Sequence, residues 1–185
     1  MKLTYEALTV IVFHMKAKAD IRLKYITLTG LLAALITLFT AYILHIPMGF
    51  NGGYIHLGDS LIYLAAVLLP TPYAMAAGAI GGGLADLLTA PMWAPATIII
   101  KVLVVIPFTS HHNKLLAKRN LIAPVIAMLI TIAGYYLAEV ILYGKEAAFL
   151  ISVTTNLIQG IGSAVVFYAL AAALDKAGVK ALIAR

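Results

Sequence analysis

Long apolar runs separated by short polar patches dominate the chain, and the runs have helical rather than strand length. They predict a first membrane span from about Tyr25 to Leu44, a second from Leu57 to Pro70 and, after a Pro-Thr-Pro turn, a third from Tyr73 to Thr89. A fourth is expected over Ala94 to Phe108, a fifth over Leu121 to Tyr143 and a sixth over Ala147 to Leu174. At about 17 to 25 residues per crossing, the 185 residues hold six such helices and little else. The second and fourth are too short for a full crossing, so they are expected to start below the outer surface and leave a cavity there. Its roof is the segment His45 to Asp59, HIPMGFNGGYIHLGD, glycine-rich and aromatic, the one place where polar recognition chemistry interrupts the apolar pattern. No internal repeat is visible, unlike transporters built from inverted repeats.

Composition fixes the class. With 63% hydrophobic and 11% charged residues, a soluble fold would lack the polar atoms to cover itself, so the expected fold is an all-α integral membrane bundle. The absence of cysteine excludes disulfides, thiolate metal ligands and cysteine nucleophiles. A net charge of +6 would point to nucleic acid in a soluble protein, but here placement matters more than sum. Lys2, Lys16, Lys18, Arg22 and Lys24 precede the first span, Lys114, Lys118 and Arg119 lie between the fourth and fifth, and Lys176, Lys180 and Arg185 follow the sixth. Cationic loops face the cytoplasm. Six spans with both termini inside place all of these on that side, where they also suit contact with anionic lipid. The chain then divides into an interfacial segment, 1–24, a membrane domain, 25–174, and a basic tail, 175–185. Leu8 to Met15 is apolar but short and lacks a small-residue cleavage site, so it reads as an interfacial helix rather than a signal peptide.

Ionisable groups inside spans are costly and mark function by default. Asp59 opens the second span, Asp86 lies late in the third, Lys101 early in the fourth and Glu139 near the end of the fifth. The alternation of directions puts all four in the outer half of the bilayer. Asn156 and Gln159 reach a similar depth on the sixth span at ~1.5 Å per residue. An ion pair of Asp86 with Lys101 that staples the third span to the fourth is the bland alternative to a binding site. His56 reads equally as a loop histidine bonded to backbone, and Tyr54 and Trp93 equally as interfacial aromatics or, for Trp93, a stacking lid over a flat ring. Tyr135 offers a second ring. Asn51, Gly52 and Gly53 permit turns and close backbone approach in the roof. Gly78, Gly82 and Asp86 share one face of the third span, where a neighbouring helix can lie close beside the carboxylate. On the first span Gly30, Ala33, Ala34, Thr37 and Ala41 form a stripe of small residues, read either as packing within the bundle or as a docking face for a second membrane protein.

The missing motifs narrow the function. There is no Walker A sequence, no G-x-S-x-G, no H-E-x-x-H and no paired-histidine metal spacing, so neither an enzyme nor a cofactor is expected. Active uptake would need ATPase partners. A self-standing channel or secondary transporter would need polar groups along its whole path, and the inner halves of these spans are nearly all apolar.

The loop ending Tyr-Ile-His-Leu-Gly-Asp at Tyr54 to Asp59, the Gly78 to Asp86 segment, Ala96-Thr97 followed by Lys101, and the small-residue first span together resemble the substrate-binding S component of energy-coupling factor (ECF) vitamin transporters. The resemblance covers Tyr25 to Leu174. It implies capture of a vitamin or precursor from outside, beneath the first loop, and delivery by toppling on a membrane T component that carries two ATPases. Such a protein sits in the cell membrane, as expected of a prokaryotic importer. The family's alanine-x-x-x-alanine docking pattern reads here as Ala33-x-x-x-Thr37-x-x-x-Ala41. The loop is similar to members assigned to hydroxymethylpyrimidine and pyridoxine; riboflavin, pantothenate and folate binders share the fold. The substrate site so implied comprises Asn51, Gly52, Tyr54, His56, Asp59, Asp86, Trp93, Thr97, Lys101, Tyr135, Glu139, Asn156 and Gln159.

Overall fold

The computed structural model describes residues 2–43, 45–47 and 54–184, with side-chain surroundings given for 19–43, 45–47, 54–144 and 153–183. The elements are α1 (Lys2–Ala41), a two-stranded hairpin of β1 (Ile46–Pro47) and β2 (Tyr54–Ile55), α2 (Asp59–Leu68), α3 (Thr71–Thr89), a 3-10 turn over Pro91–Trp93, α4 (Ala94–Leu103), α5 (Lys118–Tyr143), α6 (Lys145–Lys176) and α7 (Val179–Ala184).

Local chemistry accounts for most of the boundaries. No proline or glycine occurs between Lys2 and Thr29, so nothing breaks α1 at the expected junction near residue 24, and the N-terminal segment continues straight into the first apolar run. Pro70 separates α2 from α3, and Pro72 sits in the first turn of α3, where its missing N–H costs nothing. The ring of Pro107 would clash with the carbonyl of Leu103, and α4 stops at Leu103 rather than running on to Phe108. Gly144, at φ +85°, links α5 to α6 alone in a conformation that other residues resist.

The exterior is apolar. Ile141 is 83% exposed, and Leu88, Ile99, Ile122, Leu129, Leu137 and Val165 are also turned outward, while Asp59, Asp86, Lys101, Asn120 and Gln159 are buried. This inverts a soluble protein and suits hydrocarbon surroundings. Among the described residues three helices are long and apolar enough to cross a membrane, Ala19–Ala41 within α1, Lys118–Tyr143, and Val153–Lys176 within α6. α2 and the Pro91–Leu103 helix are apolar but short, as their sequence runs predict.

α3 is the centre of the packing, lying against both α1 and α4. Glycine makes this possible on both faces. A Cβ at Gly81 would sit 2.7 Å from Ile36 Cβ and 2.8 Å from the Ala33 carbonyl oxygen on α1. On the α4 side, a Cβ at Gly78 would lie 3.1 Å from the Lys101 carbonyl and one at Gly82 3.0 Å from Lys101 Cγ. Gly78 and Gly82 thus bring α4 beside Asp86, as their shared face predicts. Deeper in the bundle, Tyr63 stacks on Phe108 at 5.0 Å, and Phe167 meets both rings edge-on.

At the end of the bundle opposite the hairpin, side chains replace the helix that α4 does not continue. Asn120 accepts from the Thr109 N–H and donates to the carbonyls of Thr109 and Leu115. The Asp175 carboxylate accepts from the backbone N–H groups of Leu115 and Leu116, and Arg119 donates to the carbonyls of Ile106 and Pro107. The irregular segment 104–117 is thereby held to the ends of α5 and α6.

Candidate functional site

Beneath the hairpin, polar side chains from β2, α2, α3, α4, α5 and α6 meet in one buried layer. It starts with an ion pair. Lys101 Nζ on α4 donates to Asp59 Oδ1 at the first turn of α2 at 2.6 Å, with both side chains almost wholly buried. Gln159 Nε2 on α6 donates to the other Asp59 oxygen at 3.3 Å, and Gln159 Oε1 accepts from the His56 backbone N–H at 3.2 Å. The loop before α2 is therefore bonded to α6 through the same side chain that holds Asp59.

Asp86 heads a second group. Its two oxygens accept from the Tyr54 hydroxyl of β2 and the Thr97 hydroxyl of α4. Thr97 has one hydrogen and gives it to Asp86, so Tyr135 of α5 donates to Thr97 Oγ1, at 2.7 Å. The Tyr135 ring joins the two groups, its centroid 5.5 Å from Lys101 Nζ. The Asp86–Lys101 pair, the bland alternative to a binding site, is not formed. Asp59 takes the amine, and Asp86 is left with uncharged donors.

The hairpin closes over this layer through aromatic contacts. His45 stacks on Tyr54 at 4.0 Å and its Nδ1–H donates to the Thr40 carbonyl; Tyr54 in turn lies 5.4 Å from the His56 ring. Burial, with the Asp86 charge and hydrogen bond, pushes the Tyr54 hydroxyl well above its ordinary pKa, so it stays a donor. Burial pushes the His56 imidazole down to about 4, Lys101 adding to the effect and Asp59 opposing it. His56 Nδ1 accepts from the Gly58 N–H at 3.0 Å, which fixes the neutral tautomer with the proton on Nε2. The backbone-bonded reading of His56 therefore holds.

Trp93 closes the 3-10 turn and is 4% exposed, so it is a buried residue rather than a surface belt aromatic. Its ring meets Tyr135 edge-on at 6.1 Å and Tyr143 at 6.1 Å, and its Nε1–H has no hydrogen-bond partner among the described residues. Glu139, one turn beyond Tyr135, and Asn156, nearly one turn before Gln159, are buried on the same helices. Asn51 and Gly52, with Gly53, lie outside the described residues.

The small stripe of α1 divides between two surfaces. Ala33 and Ala41 are buried, and Thr37 donates to the Gly81 carbonyl on α3 at 3.0 Å, so these three pack within the bundle. Gly30 and Ala34 face outward. The buried hydroxyls of Tyr63 and Ser163 escaped the sequence reading, and neither has a hydrogen-bond partner among the described residues. Each follows a residue of the layer by four positions, Tyr63 after Asp59 and Ser163 after Gln159, and that spacing is the signal that marks them.

An apolar bundle with a buried ionic layer under a short hairpin is the architecture of an all-α membrane protein. The chain belongs to the family of ECF-type riboflavin transporter S components, whose model matches residues 20–176. It is also 32% identical over 111 residues to a protein of Pyrococcus woesei described as an uncharacterized protein in the gap 3' region. The similar stretch covers 59% of this chain and 74% of that protein.

Proposed function

We propose that this protein is the substrate-capture subunit of an ECF-type importer and takes up a flat heteroaromatic vitamin or precursor from outside. The observation that supports this most is the layer of Asp59, Asp86, Thr97, Lys101, Tyr135 and Gln159, which gathers donors and acceptors from five helices inside an otherwise apolar bundle. Trp93 and Tyr135 supply ring contacts, and Asp86, Glu139 and Asn156 read the ligand's nitrogens and hydroxyls. Hydroxymethylpyrimidine and pyridoxine are the ligands the loop favours, and riboflavin is the ligand the family's name favours. Pantothenate and folate lack this support. In the proposed topology six spans cross a prokaryotic plasma membrane with both termini in the cytoplasm, where the basic segments belong.

Transport then needs a membrane T component and two ATPases, since no nucleotide-binding motif occurs here. The outward residues Gly30 and Ala34 form the part of the α1 stripe open to such a partner. Reconstitution in lipid vesicles tests the assignment. The chain alone should bind vitamin without accumulating it, and adding T component, ATPases and ATP should drive uptake. Accumulation by the chain alone would make it a self-standing transporter.

A further inference from the structure

α4 stops at Leu103, and the chain that follows it leaves carbonyls without a helical partner at the end of the bundle opposite the hairpin. Arg119, in the first turn of α5, caps two of them: its Nε–H donates to Pro107 at 2.7 Å and its Nη2 to Ile106 at 2.8 Å. A guanidinium carries five N–H groups, so three remain, both on Nη1 and one on Nη2, without a partner among the described residues. The side chain is exposed, yet the two bonds hold its guanidinium in place. Beside it runs a groove of about 410 Å³ lined by Ile106, Pro107, Arg119, Ile122, Ile126 and Ile130. Ile122, Ile126 and Ile130 recur at every fourth residue and form one ridge of α5. The helix packs against α4 and α6, while this ridge faces outward, Ile122 being 62% and Ile126 44% exposed. From Arg119 to Ile130 the groove extends about 16 Å at the helical rise, half of a hydrocarbon core of about 30 Å. It therefore has the length of one leaflet, apolar along its course and cationic at its polar end. Lys114 and Lys118 are exposed at that same end. The Asp175 carboxylate there is already taken by the N–H groups of Leu115 and Leu116.

We infer that this groove binds one phospholipid with an anionic headgroup, its acyl chain laid along Ile122, Ile126 and Ile130 and its phosphate received by the free N–H groups of Arg119. The planar fork suits phosphate oxygens, and because Ile106 and Pro107 already hold it, little freedom is lost on binding. A zwitterionic headgroup would bring its own cation towards Lys114 and Lys118. The site differs from the general attraction of basic loops for an anionic membrane, which needs neither a groove nor a particular arginine. In the proposed topology the lipid comes from the cytoplasmic leaflet, whose surface is negative. The inference does not depend on which solute the protein captures.

The test is native mass spectrometry of the delipidated full-length protein in detergent, titrated with phosphatidylglycerol or with phosphatidylcholine of the same chains. The wild type should retain one phosphatidylglycerol with about five- to tenfold higher affinity than phosphatidylcholine. Arg119→Gln, which can still donate to a carbonyl, should reduce that preference to about twofold or less, and Lys114→Gln should leave most of it. Ile126→Trp fills the groove without touching the guanidinium and should weaken both lipids by about tenfold. If Arg119→Gln fails to fold, Ile126→Trp decides, since undiminished binding to it overturns the site. Glycerol 3-phosphate, a headgroup without chains, should not compete. No preference in the wild type, one that survives Arg119→Gln, or one that Lys114→Gln removes equally would overturn the inference in favour of diffuse attraction. Effective competition by glycerol 3-phosphate would overturn it by making the site one for free anions. An Ile126→Trp protein that keeps its lipid but no longer co-purifies with a T component would assign the groove to a protein partner instead.

Discussion

Lys101→Met removes the amine from a fully buried pair while keeping most of the stem that packs against Gly82. Asp59 would then be a buried carboxylate with Gln159 as its remaining hydrogen-bonding side chain. Breaking a buried pair in this way costs about 3–5 kcal/mol, most of it from the stranded charge. At about 2–4 °C per kcal/mol for a chain of this size, the melting temperature should fall by about 6–20 °C. Trp93, the single tryptophan, reports unfolding from inside the layer, so detergent-purified protein can be followed by its own fluorescence on heating. Adding Asp59→Asn neutralises the stranded charge and should recover much of the loss, giving a coupling of about 2 kcal/mol or more between the two positions. The corresponding cycle of Lys101→Met with Asp86→Asn should give less than about 1 kcal/mol. A Lys101→Met protein that melts within about 2 °C of wild type, or a larger coupling to Asp86 than to Asp59, would refute the pairing.

Three further outcomes follow from the packing. Gly81→Ala should destabilise by about 1–3 kcal/mol, because its Cβ meets Ile36 and the Ala33 carbonyl below 3 Å, whereas Gly30→Ala, with nothing within 4 Å, should melt like wild type. Ala34→Leu should leave ligand binding intact and reduce ATP-dependent uptake with the partner subunits, whereas Ala33→Leu should lower the melting temperature as well, since Ala33 is buried. For His56 the folded pKa lies below the unfolded one, so only the unfolded chain takes up a proton as pH falls from about 6.5 towards 4. His56 therefore makes no pH-dependent contribution above that window and a growing destabilisation within it; the wild type should lose more melting temperature between pH 7 and 5 than His56→Gln. Nitrogen NMR should find Nδ1 unprotonated across the same range.

The hydrophobic pattern placed the helices well, because span length and proline positions both leave marks in sequence. It also located the polar layer, since buried charges in apolar runs are conspicuous and helical rise converts position into depth. Partner choice was not legible. Asp59 and Asp86 lie at similar depth, and periodicity shows which face a residue occupies but not which neighbour fills the space opposite. The α1 stripe shows the same limit, for a face about 60 to 100 degrees wide spans both the contact with α3 and the outward surface, so Ala33 and Ala34 part company. Tyr63 and Ser163 were passed over because a tyrosine or serine in a span looks unremarkable until its hydroxyl proves buried without a partner among the described residues. The terminal segment of α1 looked separate on account of its charges, although nothing in it interrupts a helix.

Titration calorimetry of the purified chain, without partners, against riboflavin, pyridoxine and hydroxymethylpyrimidine tests capture most directly. The account predicts saturable one-to-one binding of at least one of them, weakened by about 1–3 kcal/mol in each of Asp86→Asn, Glu139→Gln and Asn156→Ala through the loss of a buried hydrogen-bond partner. Wild-type affinity in all three variants would contradict it by placing the site elsewhere, and the absence of saturable binding to any of these vitamins would remove the substrate class proposed here.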